Sequence, residues 1–143
     1  MPQTVAVCNY LARECGMYGK TSMEIYQIDK VVGLVNDFIG ATLPVIYEKD
    51  EGKKAELVKP YVEEEFPKFM SFYEDLLKKN GTGYFVGSEA TVADIFAYDF
   101  NWALHFRDAN VFNNFPLVQE HLERIGSLPH IKAYVDTRIY TAK

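Results

Sequence analysis

The chain has 143 residues, a length that suits one domain able to bury a proper core. Its apolar fraction of 48% and aromatic fraction of 15% exclude a disordered chain. The net charge of -5 and the pI near 5.2 argue against a nucleic-acid partner, which would normally need a basic patch.

The sequence also carries few signs of export, membrane insertion or metal binding. It begins with nothing like a signal peptide, and no unbroken apolar run approaches the roughly 20 residues of a membrane span. Cys8 and Cys15 are too far apart on one predicted helix for a disulfide, which is typical of a protein from the reducing cytosol. The three histidines are scattered and unpaired with cysteine, so we expect no metal site.

Apolar residues at helical spacing predict the first two helices. The first covers residues 4 to about 15, with Thr4 as its N-cap and Gly16 as its terminator. A capping-box pattern, Thr21-Ser22-Met23-Glu24, predicts the start of a long second helix that ends near Phe38 or Leu43. Residues 44 to 52 should form the break that follows.

Four further helices are predicted, and no strand. One covers residues 53 to 79, kinked at Pro67 and ended by Asn80-Gly81. The next starts near Thr91 and is apolar on most sides, which is typical of the centre of a bundle. Two shorter helices begin at Pro116 and Pro129, since proline is permitted at the first helical position. The sequence therefore predicts an all-α bundle.

The most informative string is Tyr84-Phe85-Val86-Gly87 followed by Thr91-Val92-Ala93-Asp94. Thr91 and Asp94 have the spacing of a capping box, in which each side chain bonds to the other residue's backbone N–H. A carboxylate in the first turn also suits the helix dipole. Taken alone, the pattern predicts a structural role.

The whole string resembles the signature of the all-helical C-terminal domain of glutathione transferases, which reads Phe-x-x-Gly and then Ser/Thr-x-Ala-Asp. The resemblance extends over the chain from about residue 21. Gln3-Thr4 and Tyr10-Leu11-Ala12 are similar to a sigma-class segment, a class that includes many invertebrate enzymes and glutathione-dependent prostaglandin D synthases. The resemblance implies that residues 1–16 are the last helix of a thioredoxin-like domain, and that residues 17–143 form a helical domain of about five helices.

The resemblance also implies ligand-binding residues. Gln3 and Thr4 would contact glutathione at a helix start, where exposed N–H groups and a hydroxyl favour an anion. Without the resemblance, the sequence favours a simple N-cap at Thr4. Asp37 matches an aspartate that reaches the glutathione of the neighbouring subunit, and Gly33 on the same face indicates a close approach. A solvated face with one tolerated glycine is the alternative interpretation. Gly33 and Asn36 stand where related proteins have acidic metal ligands, so a metal is not expected.

Phe38 and Leu43 are the candidates for the wall of the co-substrate pocket, although core packing explains each equally well. The thiol-activating tyrosine of such enzymes belongs to the thioredoxin-like domain, and no tyrosine here has the matching context. We therefore assign no catalytic residue and expect little activity from this chain alone.

Two interpretations remain. In the first, the chain is part of a cytosolic, homodimeric glutathione transferase that conjugates glutathione to hydrophobic electrophiles, or isomerises a prostaglandin-like lipid, with glutathione as co-substrate and no other cofactor. In the second, it is a non-catalytic helical module for dimerisation, ligand binding or complex assembly. The first helix favours the former, since Val7, Tyr10 and Leu11 would normally pack against a sheet.

Overall fold

A computed structural model describes residues 3–138, and within them the chain is helical, with no strand. The elements in chain order are α1 Thr4–Glu14, α2 Ser22–Tyr47, α3 Glu51–Pro60, a π-helical turn Tyr61–Glu65, α4 Phe66–Asn80, α5 Val92–Arg107, α6 Pro116–Gly126 and α7 Pro129–Thr137. The predicted all-α bundle is confirmed. The outer ends of the two predicted segments, residues 1–2 and 139–143, lie outside the described residues.

Helix α5 is the central helix, as its apolar circumference predicts. It packs against α1, α2 and α6, and it buries residues on several sides. The core is built around it from α2, α4, α6 and the loop before α5. Helix α1 docks on the bundle by burying Ala12, and the Met17 carbonyl that follows it accepts the Val92 N–H at 3.0 Å.

Helix α2 begins where predicted and ends later than predicted. Thr21 and Glu24 form the capping box at its start. The predicted end near Phe38 or Leu43 is wrong, because the helix continues through Pro44 to Tyr47. Proline removes the bond to the carbonyl of Gly40, but both residues are exposed, so that this carbonyl can bond to water instead. The loss is small enough for one more turn.

By length and composition alone, α2 is also apolar enough to cross a membrane, although polar residues interrupt its apolar runs. Its apolar stripe lies in the core of the bundle and consists of Ile28, Val31, Val32, Val35 and Phe38. A helix that packs an apolar stripe in the core of a bundle passes the same test of length and composition.

The predicted long third helix is interrupted one turn earlier than expected. The irregularity is the π-helical turn Tyr61–Glu65, in which the Phe66 N–H bonds to the Tyr61 carbonyl, and Pro67 lies in the first turn of α4. Because Pro67 has no N–H to give, the regular ladder cannot cross this point. The Tyr61 hydroxyl lies 2.8 Å from that of Thr42, which ties the turn to α2.

Candidate functional site

The start of α1 leaves its backbone donors open. Thr4, predicted as the N-cap, is instead the first helical residue, and Gln3 is the cap with a left-handed backbone at φ 75°. Neither side chain caps the helix, and no acidic residue lies in its first turn. Both residues are exposed. The unpaired N–H groups and the helix dipole therefore present partial positive charge to solvent.

The outer face of α2 carries the second candidate. Asp29, Gly33 and Asp37 are all exposed along it. Asp29 accepts a hydrogen bond from the Tyr18 hydroxyl, whereas Asp37 makes no hydrogen bond or ion pair within residues 3–138. A Cβ at Gly33 would meet no atom within 4 Å, so nothing in this chain requires glycine there. Thr4 and Asp37 lie on different helices, and no bond joins them.

Phe38 does not line a pocket. Its ring is fully buried, with the Phe69 and Phe100 centroids each at 5.0 Å and the rings of Phe66 and Tyr73 beyond. The assignment of Phe38 to the co-substrate wall is therefore corrected to core packing, because an enclosed ring has no surface to offer a ligand. Leu43 is 38% exposed on α2, and its role there stays a prediction.

An apolar cavity of about 250 Å³, which the sequence did not indicate, lies between α1, α5 and α7. Thr4 and Cys8 contribute from α1, and apolar side chains from α5 and α7 form most of the remaining wall: Val92, Ile95, Phe96, Ile131, Tyr134 and Val135. At one end the Arg138 guanidinium bonds to Asp99 at 3.2 Å and lies 4.0 Å from the centre of the Trp102 ring. Three helices distant in sequence build this cavity, so no local pattern could have found it.

The capping box of α5 is confirmed, and it is larger than predicted. Asp94 Oδ2 accepts from the Thr91 N–H at 2.8 Å and the Thr91 hydroxyl at 2.9 Å. Asp94 Oδ1 accepts from the Phe85 N–H at 2.9 Å and lies 3.0 Å from His121 Nε2. The side chains of Asp94 and His121 are 0% and 1% exposed. One buried carboxylate thus joins the loop, α5 and α6.

The pKa shifts of four tyrosines also result from their surroundings in the fold. Burial raises the pKa of Tyr18, Tyr61, Tyr73 and Tyr98, and at Tyr18 the hydrogen bond to Asp29 raises the pKa further. In the described part of the chain, no group of three or more His, Cys, Asp or Glu side chains is positioned to hold a metal ion.

Comparison with known proteins gives a family match over most of the chain. A family model described as the glutathione S-transferase C-terminal domain matches residues 36–138. The chain is 31% identical over 140 residues to a glutathione S-transferase of Anopheles gambiae, covering 97% of this chain and 68% of that protein.

Solved structures share the fold. A Nu-class glutathione transferase from Haemonchus contortus superimposes with a TM-score of 0.87 at 31% identity, covering 99% of this chain and 70% of that one. Prostaglandin synthase D of Nilaparvata lugens has a TM-score of 0.91 with the same coverage, at 23% identity, where the likeness concerns the fold alone. The curated relatives include longer proteins, of which the chain spans between 58% and 71%.

Proposed function

The chain belongs to the glutathione S-transferase family, and we propose that it serves as the helical part of an enzyme that conjugates glutathione to hydrophobic electrophiles. The observation that carries the proposal is the open start of α1, where Gln3 and Thr4 leave backbone donors uncapped. A helix start with free N–H groups and an adjacent hydroxyl suits the γ-glutamyl carboxylate of glutathione. The other helix start that matches the family, at Thr91, is already filled by Asp94.

Asp37 completes the proposed glutathione site from a second subunit. It is exposed, unpaired within the described chain, and on another helix from Thr4, so it is free to act on a neighbouring molecule. Open space around Gly33 on the same face supports close approach of a second copy. The proposed assembly is a homodimer in which α2 lines the interface and the Asp37 carboxylate accepts a hydrogen bond from the α-ammonium of glutathione.

The co-substrate would lie against apolar surface of the helical domain. Leu43 stays a candidate, and the cavity beside Phe96 replaces Phe38 as further wall. Membership of the sigma class, a cytosolic location and a prostaglandin-like lipid as substrate belong to the same proposal, with glutathione as co-substrate and no other cofactor. The enzyme needs a thioredoxin-like domain for thiol activation, and the chain alone should be nearly inactive.

The test uses this chain joined to a sigma-type thioredoxin-like domain, with glutathione affinity measured by calorimetry. Asp37→Ala should weaken binding about tenfold, the loss expected of one charge-assisted hydrogen bond. Asp75→Ala, an exposed aspartate on α4, is the matched control and should leave affinity unchanged. Thr4→Ala should weaken binding while Thr4→Ser restores it. Unchanged affinity in Asp37→Ala would remove Asp37 from the site.

A non-catalytic helical module is the second candidate, and the docking of α1 favours it. Ala12 is buried against the bundle and Met17 bonds to the start of α5, so α1 is held without a sheet, although Tyr10 and Leu11 remain more than half exposed. A chain that binds glutathione or dimerises, but gains no conjugating activity when joined to the thioredoxin-like domain, would support this candidate over the first.

A further inference from the structure

Helix α5 carries two polar side chains that the core leaves without protein partners. Asn101 is 1% exposed, and both its Oδ1 and its Nδ2 lack a hydrogen bond to residues 3–138. One turn later on the same helix, the buried His105 Nδ1 is also unpaired. Neither group belongs to the Asp94 cap, nor to the residues proposed to bind glutathione.

An unpaired amide at this depth is expensive. Each buried donor or acceptor without a partner loses its hydration and regains nothing, and the two halves of Asn101 together would cost a large share of the net stability of a domain. Native structures therefore satisfy nearly all such groups, with ordered water where the protein supplies no partner. Asn101 requires a partner that both donates and accepts, because its oxygen accepts while its nitrogen donates.

The spacing along α5 fits a single small bridge. Side chains four residues apart on a helix have Cβ atoms roughly 5–6 Å from each other. Two hydrogen bonds of about 2.8–2.9 Å that meet at the near-tetrahedral angle of one water oxygen place the two outer atoms roughly 4.6 Å apart, which polar atoms on side chains at this spacing can reach. Water also suits either tautomer of His105, because it donates to a bare Nδ1 and accepts from a protonated one.

The surroundings favour retention of such a water. The His105 ring lies nearly parallel to that of Phe112, 8° apart with centroids at 6.5 Å, and Phe112 is buried. A buried water needs two to four polar partners, and Asn101 and His105 together supply three atoms. By contrast, the Tyr73 hydroxyl is buried as a single unpaired atom, and no second unpaired group lies on its helix within the described residues.

We propose that Asn101 and His105 form an internal binding site on α5 for one long-lived water molecule, which bridges Asn101 to His105 Nδ1. The site is independent of the proposed glutathione chemistry. It gives the central helix of the bundle a second buried polar group, in addition to Asp94 at its start.

The test is to count long-lived internal waters in the 143-residue chain by magnetic relaxation dispersion of water oxygen-17 and deuterium. Asn101→Leu keeps the branched shape and the number of heavy atoms, removes both polar atoms, and should lose one such water. Asn114→Leu, the same change at an exposed position, is the control and should lose none. His105→Phe should also lose the water, or shorten its residence below the detection limit.

Equal counts in the natural chain and in Asn101→Leu would overturn the site, and an unchanged count in His105→Phe would overturn the bridge. If Asn101→Leu fails to fold, a high-resolution crystal structure of the natural chain decides the matter. Density for an oxygen within hydrogen-bonding distance of both side chains supports the proposal, and a direct bond from the Asn101 amide to protein overturns it.

Discussion

Helices α5 and α1 begin in opposite ways. At α5, Asp94 closes the first turn with its own carboxylate and adds bonds to Phe85 and His121, all out of solvent. At α1, Gln3 holds a left-handed backbone, no side chain caps the turn, and the residues are exposed. At α5 the first turn is capped within the fold, whereas at α1 the backbone N–H donors of the first turn have no capping side chain.

The contrast separates structural from functional evidence. A capped helix start requires no ligand, because every group in it has a partner within the chain. An open cap has a free-energy cost of about 1 kcal/mol relative to a good N-cap, and a bound anion would recover it. The same distinction holds on α2, where Asp29 accepts a hydrogen bond from Tyr18 and Asp37 has no partner within residues 3–138.

The largest loss of stability is expected when the Asp94 cap at the start of α5 is removed. Asp94→Ala removes four hydrogen bonds and leaves His121 buried without its partner, so we expect a loss of about 3–5 kcal/mol in the free energy of unfolding. Urea denaturation measures it, with Asp75→Ala as the exposed control, expected within about 0.5 kcal/mol. A loss below about 1 kcal/mol would show that the cap is not the main tie between α5 and α6.

The two starts can be compared directly through their threonines. Thr91→Ala deletes a hydroxyl bonded to Asp94 Oδ2 and should cost about 1 kcal/mol, whereas Thr4→Ala deletes one that caps nothing and should change stability by less than about 0.5 kcal/mol. Both are measured by thermal and urea unfolding of the same chain. Equal losses would contradict the description of α1 as open.

The range of the interactions also decides which features of the fold could be predicted from the sequence. Capping boxes at Thr21 and Thr91 were predictable, because both partners lie within three residues. Helix order followed from apolar spacing for the same local reason. The end of α2 was not predictable, since tolerance of Pro44 depends on the solvent beside Gly40.

The candidate site was less accessible to sequence reasoning. Phe38 fits the spacing of a core stripe and that of a pocket wall alike, and only its four ring neighbours decide for the core. His121 lies 27 residues from Asp94, and nothing in the local sequence links them. Gln3, Thr4 and Asp37 came from a family resemblance, and their binding roles stay predictions.

Gly33 lies on the exposed face of α2 and tests whether that face is open. Glycine inside a helix costs about 0.5–1 kcal/mol relative to alanine, and a Cβ here meets no atom of the chain, so Gly33→Ala should stabilise the monomer by that amount. If a second copy packs against this face, the same change should weaken self-association in sedimentation equilibrium. Lower stability measured by urea denaturation at dilute concentration would contradict the open face.

The smallest effect at neutral pH is expected at Tyr73, a buried group beside the closed region whose hydroxyl has no partner in residues 3–138. Tyr73→Phe removes an unpaired polar atom, so stability at pH 7 should change by less than about 0.5 kcal/mol or rise slightly. Burial raises the pKa of Tyr73 above its ordinary value of 10.0, and the folded state therefore favours the neutral phenol.

The raised pKa of Tyr73 determines the direction in which stability changes at alkaline pH. The stability contributed by a raised pKa is fully present below pH 10 and is lost as the pH rises above it, because the unfolded chain releases the proton first. Urea unfolding between pH 9 and 11 should therefore show a decline in the natural chain that is shallower in Tyr73→Phe by about 1.4 kcal/mol per pH unit above pH 10. Tyr47→Phe, an exposed tyrosine, should keep the natural slope. Parallel slopes in all three proteins would mean that Tyr73 ionises in the folded state as readily as in the unfolded chain, and that the core beside Asp94 is open to water.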